Sequence, residues 1–296
     1  MNRRRFTSLL GKAALLPTLA ALDPRRAAAE DGGTGDLAAL VRLQASTPAT
    51  ALDARTKVAV AGTLARLDSL PFDHARGRVV LVNIAAAEVI AYQDGMEALR
   101  SKAIVGTGRT RTPQLASPVP SIRLNPPWYV PPSIEPQLRA AGAPGFRSVN
   151  GRLVLPPGPR NPLGPVRIGL EGSDGVFLHG TSEPRLFARE GRTLSHGCVR
   201  VERIIDLAAW MLDMPPEALR AAIATGRTRE LVPSEAVRAA LLYLTAWPGE
   251  DGRLVLHPDP YGLDRTTPRP IPRPAPRPAL PDPAVGEGLA SDQPAA

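Results

Sequence analysis

The hydrophobic positions change period twice along the chain, and each change marks a different kind of element. In "VAVAGTLARLDSLP", Val58 to Pro71, apolar residues recur at Val60, Leu64 and Leu67, the spacing of one helix face, and Pro71 closes the segment. From Arg78 the pattern becomes a short apolar run, "RVVLVNI", which predicts a strand. "EVIAYQDGMEALRSKAIVG", Glu88 to Gly106, predicts a hairpin about Asp94-Gly95, a two-residue turn whose backbone suits strand twist. "VRIGLEGSDGVFLHG", Val166 to Gly180, repeats the device about Asp174-Gly175, and "LYLTAW", "PGEDG" and "RLVLH", Leu242 to His257, predict a third hairpin.

Between the second and third hairpins the helical spacing returns. In "VERIIDLAAWML" the residues Ile204, Leu207, Ala208 and Met211 line one face of a helix expected to begin near Val201. "PPEALRAAIATG" opens on prolines and stops at Gly226, the composition of a second helix. The expected fold is therefore mainly β, with flanking helices. Roughly 180 residues of this kind are ample for one hydrophobic core.

The two ends read differently. "MNRRRFTSLLGKAALLPTLAALDPRRAAAE" places Arg3, Arg4 and Phe6 before an apolar run and a small-residue site at Ala27-Ala28-Ala29, the layout of a twin-arginine export signal over residues 1–29. Cleavage before Glu30 leaves no transmembrane anchor, because the run from Ala13 to Leu22 is too short to span a bilayer. Residues 30–76 read as a helical N-terminal segment, in which "LVRLQ" at Leu40 to Gln44 has the look of a remnant of a wall-binding helix bundle. Residues 264–296 carry "TPRPIPRPAPRPALPDP", eight prolines between Pro268 and Pro283, which predicts a disordered tail of polyproline II character. The catalytic or binding domain is thus expected over residues 77–263.

Charge narrows the function. The formal net charge is +8, but residues 1–29 hold six basic residues and one acid, leaving 30 basic against 27 acidic residues, a surplus of three. The basicity belongs largely to the export segment, so nucleic acid is not an expected partner.

Chemistry concentrates in "TLSHGCVRVE", Thr193 to Glu202, which holds the chain's one cysteine. In an exported chain a lone cysteine forms no internal disulfide, so Cys198 is either a buried inert thiol or a reactive one. A thiol attacks only as thiolate, which needs an adjacent base or positive potential. Two of the four histidines, His179 and His196, fall near Cys198 in sequence, Arg200 adds charge, and a helix beginning near Val201 would add its dipole. Gly197 carries no Cβ, so the amides beside Cys198 are natural oxyanion donors. A zinc site from His179, His196 and Cys198 lacks a second cysteine or an HExxH ligand pair, so no metal is expected. "GTG" at Gly106 to Gly108 lacks a third glycine and reads as a turn, not a phosphate cradle. His74 and His257 have no partners in the sequence and read as surface residues, whereas Arg185, Arg189 and Arg192 read equally as carboxylate binders or as solvated charges.

"HGT" at His179, an interval of 15 residues and then "SHGCVRVE" resemble the signature of the L,D-transpeptidase catalytic domain family, the YkuD type, which builds or trims bacterial peptidoglycan. Further stretches, "RVVLVNIAAAEVIAYQDG", "IVGTGRTRTPQLAS", "LNPPWYVPPSI", "PPGPRNPLGPVRI" and "YLTAWPGEDGRLVLHPDPYG", are similar to the large periplasmic subgroup. The resemblance implies a β-sandwich-like fold with Cys198 as nucleophile, His179 as general base, Gly180 supplying the carbonyl that orients it, and His196 supporting the oxyanion region. It implies substrate-binding roles for Ser195, Gly197, Arg200, Trp128 and Tyr129. It also implies a periplasmic monomer without a cofactor, acting on diaminopimelate-containing stem peptides to form 3→3 cross-links. Two other readings stay open: a hydrolase of the same family, and a cell-wall-binding protein whose cysteine is inert. The segment between Ile134 and Leu155, which covers the cleft in that subgroup, is short here.

Overall fold

The expected first helix forms as α1, Ala54–Asp68, started by the Asp53 carboxylate, which accepts from the Thr56 amide at 2.7 Å. It ends at Asp68, short of Pro71, with Ser69 as its cap. The computed structural model describes residues 53–173, 175–249, 253–266 and 271. The expected export segment, "LVRLQ", the turn residue Asp174, the turn at 250–252 and nearly all of the Pro-rich tail lie outside the described residues.

Among the described residues sixteen strands follow in chain order. The first group is β1 (Arg78–Asn83), β2 (Glu88–Gln93), β3 (Met96–Gly106), β4 (Leu115–Pro118), β5 (Ile122–Leu124) and β6 (Trp128–Tyr129). After a short helix α2 (Glu135–Ala140) come β7 (Arg147–Val149), β8 (Arg152–Leu155), β9 (Val166–Ile168), β10 (Leu178–His179), β11 (Thr193–Ser195) and β12 (Val199–Val201). Helices α3 (Ile204–Met211) and α4 (Pro216–Ala224) separate these from β13 (Arg229–Leu231), β14 (Val237–Leu242), β15 (Ala246–Pro248) and β16 (Leu254–Leu256).

All three predicted hairpins pair antiparallel, β2 with β3, β9 with β10 and β15 with β16. At the first, Asp94 (φ 48°) and Gly95 (φ 77°) both take positive φ, as a tight turn matching strand twist requires. The third is shorter than its sequence pattern, because Leu242 ends β14, which lies beside β1.

One sheet of eleven strands dominates, in the order β13-β5-β9-β10-β12-β3-β2-β1-β14-β4, with β11 also beside β3. Strand β3 carries the sheet around its curl: one end pairs with β2, the other with β12 and β11. The continuous apolar run of β1 has a physical meaning, since all six of its residues are buried. Val80 and Val82 enter a core shared with Ile204, Leu207 and Met211 of α3, whereas Val79 and Leu81 enter a second core with Ala59, Val60 and Leu67 of α1 and with Trp247. Full burial of each such side chain contributes about 1.5–3 kcal/mol, so both faces of the central strands must stay covered. Strands β6, β8 and β7 form a separate small sheet. Among the described residues no helix is long and apolar enough to cross a membrane.

Candidate active site

The strand order places the two motif halves side by side. Strand β10, ending in His179, and β12, which follows Cys198, are parallel neighbours in which Leu178 opposes Val199 and His179 opposes Arg200. The Val199 amide donates to the Phe177 carbonyl at 2.9 Å, so Cys198 lies level with Phe177. Residues two apart on a strand project from the same face, which puts Cys198, Phe177, His179 and Arg200 on one side. Leu178, Val199 and Val201 turn the other way into the core.

Cys198 does not precede a helix. A strand occupies Val199–Val201 and α3 begins at Ile204, so the helix-dipole stabilisation expected from the sequence is absent. The thiol is half-buried and donates toward the Gly175 carbonyl at 3.5 Å. Burial pushes it above its ordinary range, a shift opposed by a hydrogen bond to the Phe177 backbone and by the charges of Arg167 and Arg200. His179 is 5 % exposed. Burial, then the Arg200 charge, depress it from 6.5 to about 4, against the pull of the Gly180, Leu163 and Pro162 carbonyls. Those carbonyls act at a distance only, for the buried Nδ1 has no partner with hydrogen-bond geometry. At neutral pH the imidazole and the thiol are therefore both uncharged.

Because His179 is depressed in the fold, the unfolded chain binds its proton first on acidification. Stability from this group is full above pH 6.5 and falls as pH drops toward 4, by about 3 kcal/mol. His179→Gln should remove that slope. Urea unfolding at pH 7 and pH 4.5 checks it, and parallel losses in both proteins would contradict the assignment.

The loop holding Cys198 is built by a segment that reads in the sequence as a simple turn. Ser195 Oγ donates to the Cys198 carbonyl at 2.6 Å and accepts from the Gly197 amide at 3.1 Å, which allows Gly197 its φ of 116°. The Gly197 amide is thereby occupied, and so is that of Val199. Thr110 and Thr112 then clamp the loop from outside, donating to the Ser195 and Gly197 carbonyls at 2.9 and 2.8 Å. The Tyr261 hydroxyl, buried and stacked on Tyr243, donates to the Gly106 carbonyl at 2.6 Å and accepts from the Thr112 amide at 3.1 Å. The Tyr243 hydroxyl, which accepts from the Tyr261 amide at 2.9 Å, donates to Asp259 at 2.6 Å. A Cβ on Gly106 would meet the Thr110 carbonyl oxygen at 2.0 Å and the Thr112 nitrogen at 2.6 Å. Gly106→Ala should therefore open the clamp, costing about 1–3 kcal/mol as overpacking and slowing thiol modification far more than that loss of stability alone implies. A variant as stable and as reactive as wild type would refute this role.

The family model for the L,D-transpeptidase catalytic domain (YkuD) matches residues 77–228, the span that contains both motif halves. The chain belongs to this family. A Haemophilus influenzae protein provisionally named an L,D-transpeptidase is 29 % identical over 218 residues, which cover 63 % of this chain and 44 % of that protein. The match thus spans less than half of that relative. Among solved structures, an L,D-transpeptidase from Mycobacterium smegmatis is 18 % identical, covering 56 % of this chain and 58 % of its own, with a TM-score of 0.33. The ertapenem-acylated catalytic domain from Enterococcus faecium is 15 % identical, covering 57 % and 100 %, with a TM-score of 0.32.

Other residues named for an L,D-transpeptidase site fall in different places. Arg200, on the face of His179, donates to Glu183 at 3.1 Å. His196 is exposed on the cysteine loop. Trp128 and Tyr129 form β6 of the small sheet, Trp128 tilted 6.1 Å from Phe146 and Tyr129 beneath the Arg152 guanidinium. Arg192 proves structural, donating to the Ala103, Ala86 and Ala87 carbonyls at 3.0–3.2 Å, whereas Arg185 and Arg189 are exposed. His257 is half-buried, with its Nε2 buried. Among the described residues no group of three or more His, Cys, Asp or Glu side chains is placed to hold a metal.

Proposed function

We propose that this protein is a cell-envelope L,D-transpeptidase that cross-links peptidoglycan stem peptides through an acyl-enzyme on Cys198. The observation that supports the reading is the pairing of β10 with β12, in which His179 opposes Arg200 and Cys198 directly precedes Val199. In the reaction, the Cys198 proton passes to His179 as sulfur attacks the carbonyl carbon of the donor's third residue, a diaminopimelate. With the Gly197 and Val199 amides already occupied, the oxyanion donor in this reading is the amide of Cys198. The carbon–nitrogen bond to the terminal D-alanine breaks, His179 returns the proton to the leaving amine, and a thioester remains. An amine of a neighbouring stem then attacks the thioester, forming a 3→3 amide and giving back the thiol. Water in place of that amine yields a tripeptide.

Incubation with purified disaccharide-tetrapeptides and mass analysis tests the proposal. Cross-linked dimers that have lost D-alanine support transfer. Tripeptides alone point to a carboxypeptidase, and unchanged tetrapeptides to a binding protein. Export by the twin-arginine route is part of the same proposal, and lysines at Arg3 and Arg4 should abolish it.

A further inference from the structure

Arg66, on α1, carries a guanidinium that is 2 % exposed. Among the described residues its Nη2 donates to the Leu263 carbonyl at 3.3 Å, while Nε and Nη1 are buried without a hydrogen-bond partner. The guanidinium lies over the Tyr243 ring, 5.7 Å from the centroid. Gly62, one turn back, leaves room for it, since a Cβ there would meet Nη1 at 2.8 Å. Burial works against the charge, and Asp264, Tyr243 and Asp259 offset it. A hydrophobic side chain of similar volume commonly fills such a place with no loss of stability, so packing alone does not account for an arginine here.

The guanidinium stands at the far end of the clamp on the cysteine loop. A carboxylate only accepts, and Asp259 takes hydrogens from the Tyr243 hydroxyl, the Leu263 amide and the Asp264 amide at 2.6, 2.8 and 3.2 Å. The Tyr243 oxygen is thereby left to accept the Tyr261 amide, the Tyr261 hydroxyl holds Gly106 and Thr112, and Thr112 Oγ1 donates to the Gly197 carbonyl. Each link sets the direction of the next, and the series starts at the carboxylate that Arg66 accompanies. Its last link acts on the chemistry. The Gly197 carbonyl and the Cys198 N–H belong to one planar peptide unit, so a carbonyl pinned by Thr112 aims that N–H the opposite way. Arg66, Tyr243, Asp259 and Tyr261 all lie outside residues 77–228, the span that the family model matches.

We propose that Arg66 is a positioning residue for the reaction: by fixing Tyr243 and residues 259–264 it keeps the Tyr261 clamp closed, and so sets the Cys198 amide where the oxyanion forms. The inference rests on the proposed function and deepens it.

The test uses the full chain with Arg66→Met, Arg66→Gln, Arg66→Lys, Tyr261→Phe, and Arg66→Met combined with Tyr261→Phe. Two rates are measured on each protein. Acylation by imipenem forms a sulfur–carbon bond, breaks the ring carbon–nitrogen bond, moves the thiol proton to that nitrogen and passes through an oxyanion. Alkylation by iodoacetamide displaces iodide at a methylene carbon and needs no oxyanion. Arg66→Met, Arg66→Gln and Tyr261→Phe should each slow acylation about 10-fold, the scale of one hydrogen bond, and leave alkylation within about twofold of wild type. Arg66→Lys, which keeps the cation on the Tyr243 ring, should acylate within about threefold of wild type. The double variant should be no slower than its slower parent, because both changes open one clamp. Loop order has a readout of its own: the Gly197 amide should exchange with solvent about 10-fold faster in Arg66→Met and in Tyr261→Phe, with the amides of β1 changed far less. Additive losses, equal slowing of both reactions, a Gly197 amide that exchanges as in wild type, or loss of the fold in both Arg66→Met and Arg66→Gln would overturn the assignment. A wild type that is alkylated but never acylated, with the exchange pattern as stated, would sink the proposed function and leave the hold of Arg66 on the loop standing.

Discussion

Serine at position 198 is expected to end all covalent chemistry while leaving the fold in place. The sulfur donates toward the Gly175 carbonyl, a bond that a hydroxyl can also make, and the side chain is half-buried at the surface of the sheet. Stability should therefore change by no more than about 1 kcal/mol, the scale of one hydrogen bond. Reactivity is another matter. A hydroxyl is far less acidic than a thiol, and an imidazole depressed to about 4 is too weak a base to ionise it. A carbapenem such as imipenem should add once per chain to the wild type and not at all to Cys198→Ser, as read by intact-protein mass spectrometry. An adduct persisting on the serine protein would show that the acylated group lies elsewhere.

The second large effect concerns the base. His179→Ala should slow carbapenem acylation by about two to four orders of magnitude near neutral pH, the usual contribution of a positioned general base. The pH dependence separates this from a packing defect. Since burial raises the thiol, little thiolate exists at neutral pH, and the variant must rely on that minor fraction. Its rate should climb with pH toward the thiol's raised pKa, so its deficit against wild type narrows in alkali. Wild-type acylation should keep its acid limb down to about pH 4, where His179 takes up its proton. Stopped-flow rates from pH 4 to pH 10 decide the matter: a deficit constant across that range would assign His179 a structural role. His196→Ala, on an exposed loop position, should cost much less.

The sequence by itself determined the elements whose signals are local. Alternation and turn chemistry located three hairpins, and at the first Asp94-Gly95 encodes positive φ within two residues. The lone cysteine and the spacing from His179 to "SHGC" carried the resemblance to the family whose model matches residues 77–228. What only the tertiary structure decided depends on pairing between distant strands. The segment after Cys198 has a helix-like composition at its far end, yet residues 199–201 are drawn into the sheet between β10 and β3, where their apolar side chains are buried. That placement removes the helix dipole from the thiol and leaves the Phe177 backbone hydrogen bond, then arginine charge, as the opposing influences. The clamp of Gly106, Thr110, Thr112 and Tyr261 on the cysteine loop joins residues 85 to 155 positions apart, a separation at which no periodicity carries information.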